Sequence, residues 1–525
     1  MSTPPSMSFE PLTPTAFLKR SAEVFGDRVA VIDGDLQYTY AEFYRRALQL
    51  AGALHATGVS GGAHAAILAP NTHVLLEAHY GVPLAGAVLV ALNQRLTASD
   101  LAYAIRHSDA KVLIYDHEFE TVAQDIARDI GAGLKLIRAG GKDQYEPWLA
   151  AATPHAEPVA DERGMISINY TSGTTGKPKG VMYHHRGAYL QALAMVAHMR
   201  LDCTSTYLWT LPMFHCNGWC FTWGVTAAGA THLCLRKLDP ELIWRHLRES
   251  GVTHFCAAPT VLIMIAWADA AKHGKLARAV QAATGGAPPT PAILMRMAEL
   301  GIDVTHLYGL TETFGPAVVC EWRVEWSELP LEKQGQLKAR QGVGNVIAQE
   351  LRIVDADGRD VPADAQTIGE IALRGNNVML GYYRDEETTQ RAAPDGWFRT
   401  GDLGVMHADR YVEIKDRSKD IILSGGENIP SLEVERALAA HAAVMEAAVV
   451  ARPDPKWGEV PVAYVTLKPG AVATEADLIA HVRSLLAHFK APKKIVFGEL
   501  PKNATGKIQK FVLRERAKEL VSGER

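Results

Sequence analysis

Along most of the chain, short apolar runs of strand length alternate with stretches whose apolar positions recur every three or four residues. Val29-Ala30-Val31-Ile32 reads as a strand. Thr39 and Glu42 then stand at capping-box spacing, and the helix they open carries Phe43, Ala47, Leu50, Ala51 and Leu54 along one face. Ala65–Leu68 predicts a strand and Leu75–Gly86 a helix; Thr97 and Asp100 form a second capping box, followed by a strand over Lys111–Tyr115. The alternation resumes later, with strands over Tyr207–Leu211, Thr231–Leu235, Thr253–Ala257 and Ala277–Ala283 and a helix over Pro240–Ser250. Strands separated by capped helices build parallel sheets covered by helices, which places the chain in the α/β class.

The pattern changes twice toward the C-terminus. From about 342 to 416 the helices thin out, and Gln349–Val354, Glu370–Leu373 and Tyr411–Ile414 read as short strands between Asp/Gly turns, a small β-rich subdomain. Beyond Arg417 the segments reset: a helix over Ser431–Ala440, strands over Ala447–Ala451 and Val460–Leu467, a helix capped by Thr474 and Asp477, and a strand over Lys494–Phe497. About 105 residues of this kind suffice for a separate α+β unit. The expected organisation is therefore a large N-terminal domain over 15–416 and a small C-terminal domain over 420–525, with the boundary between Asp416 and Asp420. Met1–Pro14 reads as a poorly ordered lead-in.

Composition narrows the ligand class. With 525 residues, 48% of them hydrophobic, and a formal net charge of -4, the chain has the make-up of a soluble enzyme. That balance gives no attraction to nucleic acid or an anionic membrane surface, so small molecules are the expected partners. Six cysteines without regular spacing suggest reduced thiols and a cytoplasmic protein. Cys216 and Cys220 beside His215 lack a second ligand pair that would complete a zinc site. The N-terminus has neither a basic start nor an apolar core, and no stretch approaches the ~18 apolar residues of a membrane span.

The most informative stretch follows the apolar run Met165-Ile166-Ser167-Ile168: Tyr170-Thr171-Ser172-Gly173-Thr174-Thr175-Gly176-Lys177-Pro178-Lys179-Gly180. Glycines let main-chain N–H groups close on a phosphate, and hydroxyls and lysines add donors and charge. It is not a Walker A loop, because the glycine spacing differs and Pro178 stands where that motif needs a hydroxyl residue opening a helix. It resembles the signature loop of the adenylate-forming superfamily: acyl-CoA synthetases, peptide-synthetase adenylation domains and luciferases. The resemblance implies ATP-dependent activation of a carboxylate as an acyl adenylate. It assigns ATP's phosphates to Thr171, Ser172, Gly173, Thr174, Thr175, Gly176 and Lys179, and a share in the metal site to Thr175.

The remaining motifs stand in family order over about residues 15–515. Tyr308-Gly309-Leu310-Thr311-Glu312-Thr313 follows the strand-like Asp303-Val304-Thr305-His306, at a strand end where open α/β sheets bind ligands. By resemblance Tyr308 stacks beside adenine, Thr311 contacts phosphate, Glu312 holds Mg²⁺, and His306 and Gly309 belong to the same site. Thr284-Gly285-Gly286-Ala287-Pro288 is a tight turn, and the family places Gly286, Ala287 and Pro288 against adenine, with Gly286 and Gly309 also lining the acyl tunnel. Asp402, fixed by the turn Thr400-Gly401, is suited to accept from both ribose hydroxyls, with Arg417 as a second contact. Lys507, in Pro501-Lys502-Asn503-Ala504-Thr505-Gly506-Lys507, matches the lysine that bridges carboxylate and α-phosphate.

His215 and Trp219, in Pro212-Met213-Phe214-His215-Cys216-Asn217-Gly218-Trp219, match an aromatic-His motif of the short- and medium-chain acyl-activating branch, which includes benzoate and 3-methylmercaptopropionate ligases. His215 is expected by the carboxylate and Trp219 at the pocket floor, where an indole shortens the tunnel; an ordinary core tryptophan is the competing reading. The family's C-terminal domain is mobile and swings about a hinge that aligns with Lys419. That motion brings Ser424, Gly425 and Gly426 to the site for coenzyme A. The expected activity is an AMP-forming carboxylate–CoA ligase using ATP, Mg²⁺ and coenzyme A, with a place in fatty acid metabolism. The alternatives are an acyl-AMP ligase loading a carrier protein, a ligase specific for 3-methylmercaptopropionate, and a silent nucleotide-binding regulator. The identity of the acid and a homodimeric assembly are left open.

Overall fold

The fold is taken from a computed structural model that describes residues 9–171, 178–502 and 507–522. Two large sheets lie between three helical layers. The nine-stranded sheet runs in the order Val343–Gly344, Gly315–Val319, Ile302–Leu310, Val280–Thr284, His254–Ala257, Thr206–Leu208, Thr231–Leu233, Val29–Asp33, Leu36–Thr39. The seven-stranded sheet runs Gly381–Tyr382, Gly180–His184, Met165–Tyr170, Val88–Ala91, His64–Leu68, Val112–Asp116, Lys135–Ala139. Both are parallel in the middle and antiparallel at an edge.

Strand periodicity explains the layering. Ala65 and Ile67 point into the layer shared by the two sheets, with Phe43, Leu50, Tyr80, Trp209 and Trp223, while their neighbours Ala66 and Leu68 face helices Ala98–Ser108 and Glu120–Ile130. The other face of the nine-stranded sheet is covered by helices Pro240–Glu249, Pro259–Ala266 and Pro291–Glu299. Both predicted capping boxes in this part form: the Thr39 N–H donates to Glu42 at 2.8 Å and the Thr97 N–H to Asp100 at 3.3 Å.

Within residues 348–417 lies a four-stranded antiparallel sheet, Ala348–Val354, Gly369–Gly375, Phe398–Met406 and Val412–Arg417, as the β-rich pattern implies, while Gly381–Tyr382 leaves it to pair in the seven-stranded sheet. The chain next enters a five-stranded sheet at Ile422–Ser424. That sheet has one face on helices Ser431–Ala439 and Glu475–Leu485 and the other on Lys510–Ser522. The two large sheets thus share one core between them while the C-terminal sheet has its own, and each fully buried aliphatic side chain contributes roughly 1.5–3 kcal/mol.

Several elements differ from expectation for identifiable reasons. The strand foreseen over Tyr207–Leu211 pairs only as Thr206–Leu208, because the carbonyls of Trp209 and Leu211 bond instead to the Asn71 amide at 2.8 and 2.9 Å. Helix His185–Met199 carries no capping sequence; the His184 imidazole accepts from the Gly187 N–H at 2.9 Å in its place. The strand before the Tyr308 motif runs on to Leu310, changing from parallel pairing at His306 to antiparallel pairing at Leu307. Among the described residues no helix is long and apolar enough to cross a membrane.

Candidate active site

Strands Met165–Tyr170 and Gly180–His184 carry the phosphate loop between them. Its neck is closed by the Thr171 N–H on the Lys179 carbonyl at 3.0 Å and the Lys179 N–H on Thr171 Oγ1 at 3.4 Å. Ser172, Gly173, Thr174, Thr175 and Gly176 lie outside the described residues. Lys179 Nζ stands 4.8 Å from the centroid of the Tyr382 ring, and the Tyr382 hydroxyl donates to Glu312 Oε1 at 2.8 Å. Tyr382 thereby joins the loop's lysine to the carboxylate expected to hold Mg²⁺. Burial and the Glu312 charge push its hydroxyl well above the ordinary range, so it stays a donor. Sequence reasoning passed over Tyr382 because a Gly-Tyr pair in a two-residue strand leaves no periodic signal. Glu312 and Thr311 lie on the 3₁₀ turn Thr311–Thr313; the Thr311 carbonyl accepts from the Tyr183 hydroxyl at 2.6 Å, and the Glu312 carbonyl from the Met379 N–H at 2.8 Å.

Asp402 and Arg417 face each other in register across strands Phe398–Met406 and Val412–Arg417. Arg417 Nε lies 3.1 Å from Asp402 Oδ1, and the Tyr308 hydroxyl donates to Oδ2 at 2.7 Å. Asp402 is only 4% exposed, yet each carboxylate oxygen retains a lone pair for a further donor such as a ribose hydroxyl. The expected glycine turn before it is instead a kink within a continuous strand: Gly401 has φ +71° and donates its N–H to Glu370 Oε1 at 2.8 Å. His306 does not join this cluster. Its Nδ1 is 2.8 Å from the Arg340 carbonyl, and burial pushes the ring down to about 4, which marks a satisfied packing position.

Around Trp219, where the acyl pocket is expected, two glycines are demanded by close backbone approach. A Cβ at Gly309 would stand 1.9 Å from the Gly315 carbonyl oxygen, and one at Gly285 2.7 Å from that of Leu307. The Trp219 indole lies against both Gly285 and Gly315, at 3.1 and 3.0 Å from where their Cβ atoms would be. Gly286, at φ +83°, is exposed, and Ala287 and Pro288 are half-buried. Trp219 stands in an unusual segment: Cys216, Asn217, Gly218, Trp219 and Cys220 have φ between +43° and +62°, one turn of left-handed helix. Four of the five are not glycine, and each carries roughly 1–2 kcal/mol of backbone cost. Sequence periodicity has no signature for such a turn. His215 precedes it, its ring 3.9 Å from Cys216 Sγ; Cys216 in turn lies 3.8 Å from Thr311 Oγ1.

Lys507 comes from the C-terminal unit. Burial first, then the Arg417 guanidinium, pushes its ammonium down to about 7, with Asp402 and Asp420 acting in the opposite sense. Burial and the Lys507 charge together push His215 down to about 4, so this imidazole is neutral at physiological pH. The chain thus brings Lys507, His215, Asp402 and Arg417 within electrostatic reach of one another. Contacts across the junction include Arg436 Nη1 to Glu413 Oε1 at 2.6 Å, the Ser431 N–H on Asp416 Oδ2, and Arg514 on Asp420. Lys419 lies in the 3₁₀ turn Ser418–Asp420, its ammonium lowered by burial and Arg417. Ser424 pairs with Glu427 around Gly425 and Gly426, at φ +61° and +88°. Gly425 and Gly426 are therefore the two-residue turn of a hairpin, and both are exposed. Cys216 and Cys220 are buried with their thiols pushed up, as apolar burial requires.

Residues 18–383 match the AMP-binding enzyme family, and residues 433–507 match the AMP-binding enzyme C-terminal domain. The chain belongs to the AMP-binding enzymes. Among similar members of this family are an acetate–CoA ligase of Humulus lupulus, 44% identical over 98% of this chain and 96% of the relative, and 4-hydroxybutyrate–CoA ligase 2 of Metallosphaera sedula, 43% identical over 98% and 96%. Of solved AMP-binding structures, the anthranilate CoA ligase AuaEII in complex with anthranoyl-AMP superposes with a TM-score of 0.87 at 26% identity, covering 98% of this chain and 99% of that one. ATP-bound MatB from Rhodopseudomonas palustris gives 0.85 at 27% identity, covering 96% and 99%.

Proposed function

We propose that this AMP-binding enzyme converts a short- or medium-chain carboxylic acid, ATP and coenzyme A into acyl-CoA, AMP and pyrophosphate. The observation that carries this reading is Lys507: a partly charged ammonium from the C-terminal unit, seated beside the Asp402–Arg417 pair and His215. In the first step a carboxylate oxygen attacks the α-phosphorus, the bond to the β-phosphate oxygen breaks, and pyrophosphate leaves. Asp402 and Arg417 hold the ribose, Tyr308 and the Gly286–Pro288 turn hold adenine, and Thr171 to Lys179 hold the phosphates. Lys507 sits where negative charge accumulates as attack proceeds. Neutral His215 offers a hydrogen bond to the carboxylate without repelling Lys507.

Glu312 fits the hard-oxygen donor set of Mg²⁺, with Tyr382 on one of its oxygens and the other able to ligate, and Thr175 would complete the protein's share. That ion would supply charge neutralisation at the phosphates.

In the second step the thiolate sulfur of coenzyme A attacks the acyl carbon and AMP departs. We assign the boundary between the domains to residues 416–420, just before the chain enters the sheet that begins at Ile422, and the hinge to Lys419. Turning the C-terminal unit about that point would withdraw Lys507 and present the exposed Ser424–Gly425–Gly426 turn to the acyl adenylate. Short acids are favoured because the acetate and 4-hydroxybutyrate ligases are similar over nearly their whole length. The test is acid-dependent exchange of pyrophosphate into ATP over C2 to C10, aromatic and thioether acids, followed by assay for acyl-CoA with free coenzyme A. Exchange without acyl-CoA would point to carrier-protein loading, and no exchange with any acid would refute the ligase reading.

A further inference from the structure

The left-handed turn Cys216–Cys220 has no local reason to persist, because four of its five consecutive residues are not glycine and occupy a disfavoured backbone region. What holds it is the side chain at its second position. Asn217 Oδ1 accepts from Ser167 Oγ at 2.7 Å and Asn169 Nδ2 at 2.6 Å, and Asn217 Nδ2 lies 3.0 Å from His79 Nε2. The Asn217 N–H donates to Asn169 Oδ1 at 3.3 Å, and its carbonyl accepts from Thr222 Oγ1 at 3.0 Å. Asn217, Ser167, Asn169, His79 and Thr222 are all buried, so a lost partner would not be replaced by water.

The network specifies its own proton positions. His79 Nδ1 is 2.7 Å from the Leu75 carbonyl, which only an N–H can face, so the neutral ring presents Nε2 as an acceptor to the Asn217 amide. Burial pushes His79 down to about 4, which keeps the ring in that state. The Asn217 amide is therefore oriented from both ends, with donors at its oxygen and an acceptor at its nitrogen. Ser167 and Asn169 lie on the strand that enters the phosphate loop, and the turn they hold ends against Gly285 and Gly315 through Trp219.

We infer that Asn217, braced by His79, is a positioning residue that holds the strained turn and thereby sets how deeply Trp219 closes the acyl pocket, which selects for short acids. This rests on the ligase reading and on Trp219 walling that pocket. Aspartate at 217 would set a lone pair against His79 Nε2, whereas glycine would accept the left-handed backbone freely but release every side-chain tie.

The test compares kcat/KM for acetate, butyrate, hexanoate and octanoate, at saturating ATP and coenzyme A, in wild type, Asn217→Gly, Asn217→Asp, His79→Gln, His79→Leu and Trp219→Ala. Asn217→Gly should lower the acetate-to-octanoate ratio at least 10-fold, mainly through KM for the acid, with KM for ATP changed less than 2-fold. His79→Leu should reproduce part of that shift, and His79→Gln, whose amide oxygen can accept from Asn217, should restore it. Equal losses for all acids in Asn217→Gly would mean a purely structural role and overturn the inference. If Asn217→Asp fails to fold, the glycine variant, which removes backbone strain, still decides. A ratio unchanged in Trp219→Ala would sink the pocket reading itself, whereas a shift there without one in Asn217→Gly would sink only the inference.

Discussion

Two charged centres meet at this site and are built on opposite principles. Asp402 is satisfied before any nucleotide arrives: strand register sets Arg417 on one oxygen and the Tyr308 hydroxyl on the other. Lys507 is the reverse, an ammonium whose burial and cationic neighbour Arg417 outweigh the help of Asp402 and Asp420. A centre that only binds can be rigid and fully paired. On the proposed reading, one that first assists attack and then withdraws sits in a charge balance that anionic substrates improve and their departure reverses.

The largest expected break in that contrast is Lys507→Ala. Acid-dependent exchange of pyrophosphate into ATP should fall by about 10²–10³-fold, the scale of a lost charge-stabilising group. Conversion of preformed acyl adenylate to acyl-CoA should be nearly unchanged, and comparable losses in both half-reactions would erase the distinction between the two centres.

Asp402→Ala should come next. It strands the Tyr308 hydroxyl and the Arg417 guanidinium as well as the ribose, so KM for ATP should rise about 10- to 100-fold, equivalent to one hydrogen bond to a charged group. Calorimetric titration of ATP checks it; a change confined to kcat would contradict a clamp.

Gly425→Ala should be smaller and should spare the first step. The residue sits at φ +61°, and an added Cβ would lie 2.7 Å from the Trp457 ring, so the hairpin must shift. Acyl-CoA formation should slow about 5- to 10-fold, with exchange unaltered.

The smallest effect is on the pH dependence of stability. With its folded value lowered to about 7 from 10.5, Lys507 is neutral in the native state but protonated in the unfolded chain between those values. Charging the buried amine therefore weakens the fold fully below pH 7, and the penalty fades as pH rises toward 10.5. Unfolding of the wild type near pH 8.5 should take up close to one proton more than Lys507→Met, read from the pH dependence of chemical-denaturation midpoints. A difference of zero would show that the ammonium is solvated.

Much of the architecture was legible because it rests on local rules. The capping boxes at Thr39, Thr97 and Thr474 form as their spacing implies, and alternate residues such as Ala65 and Ala66 separate onto opposite faces of their strand. The motif residues Tyr308, Asp402, Arg417 and Lys507 were legible one by one, through spacing and resemblance. Their meeting was not, since the Asp402–Arg417 register depends on how two strands align and Lys507 arrives from another sheet. Tyr382 and the left-handed turn at Asn217 left no sequence signal, and His306, assigned to the site by resemblance, has its ring bonded to the Arg340 carbonyl.

By itself, then, the sequence determined the α/β class, the succession of elements and the chemical inventory, because periodicity, capping and glycine spacing act over a few residues. Only the tertiary structure decided which hydroxyl meets Glu312, which amide restrains the turn before Trp219, and how far Lys507 loses its charge. Those outcomes depend on desolvation and on contacts between residues scores to hundreds of positions apart, which no local pattern encodes.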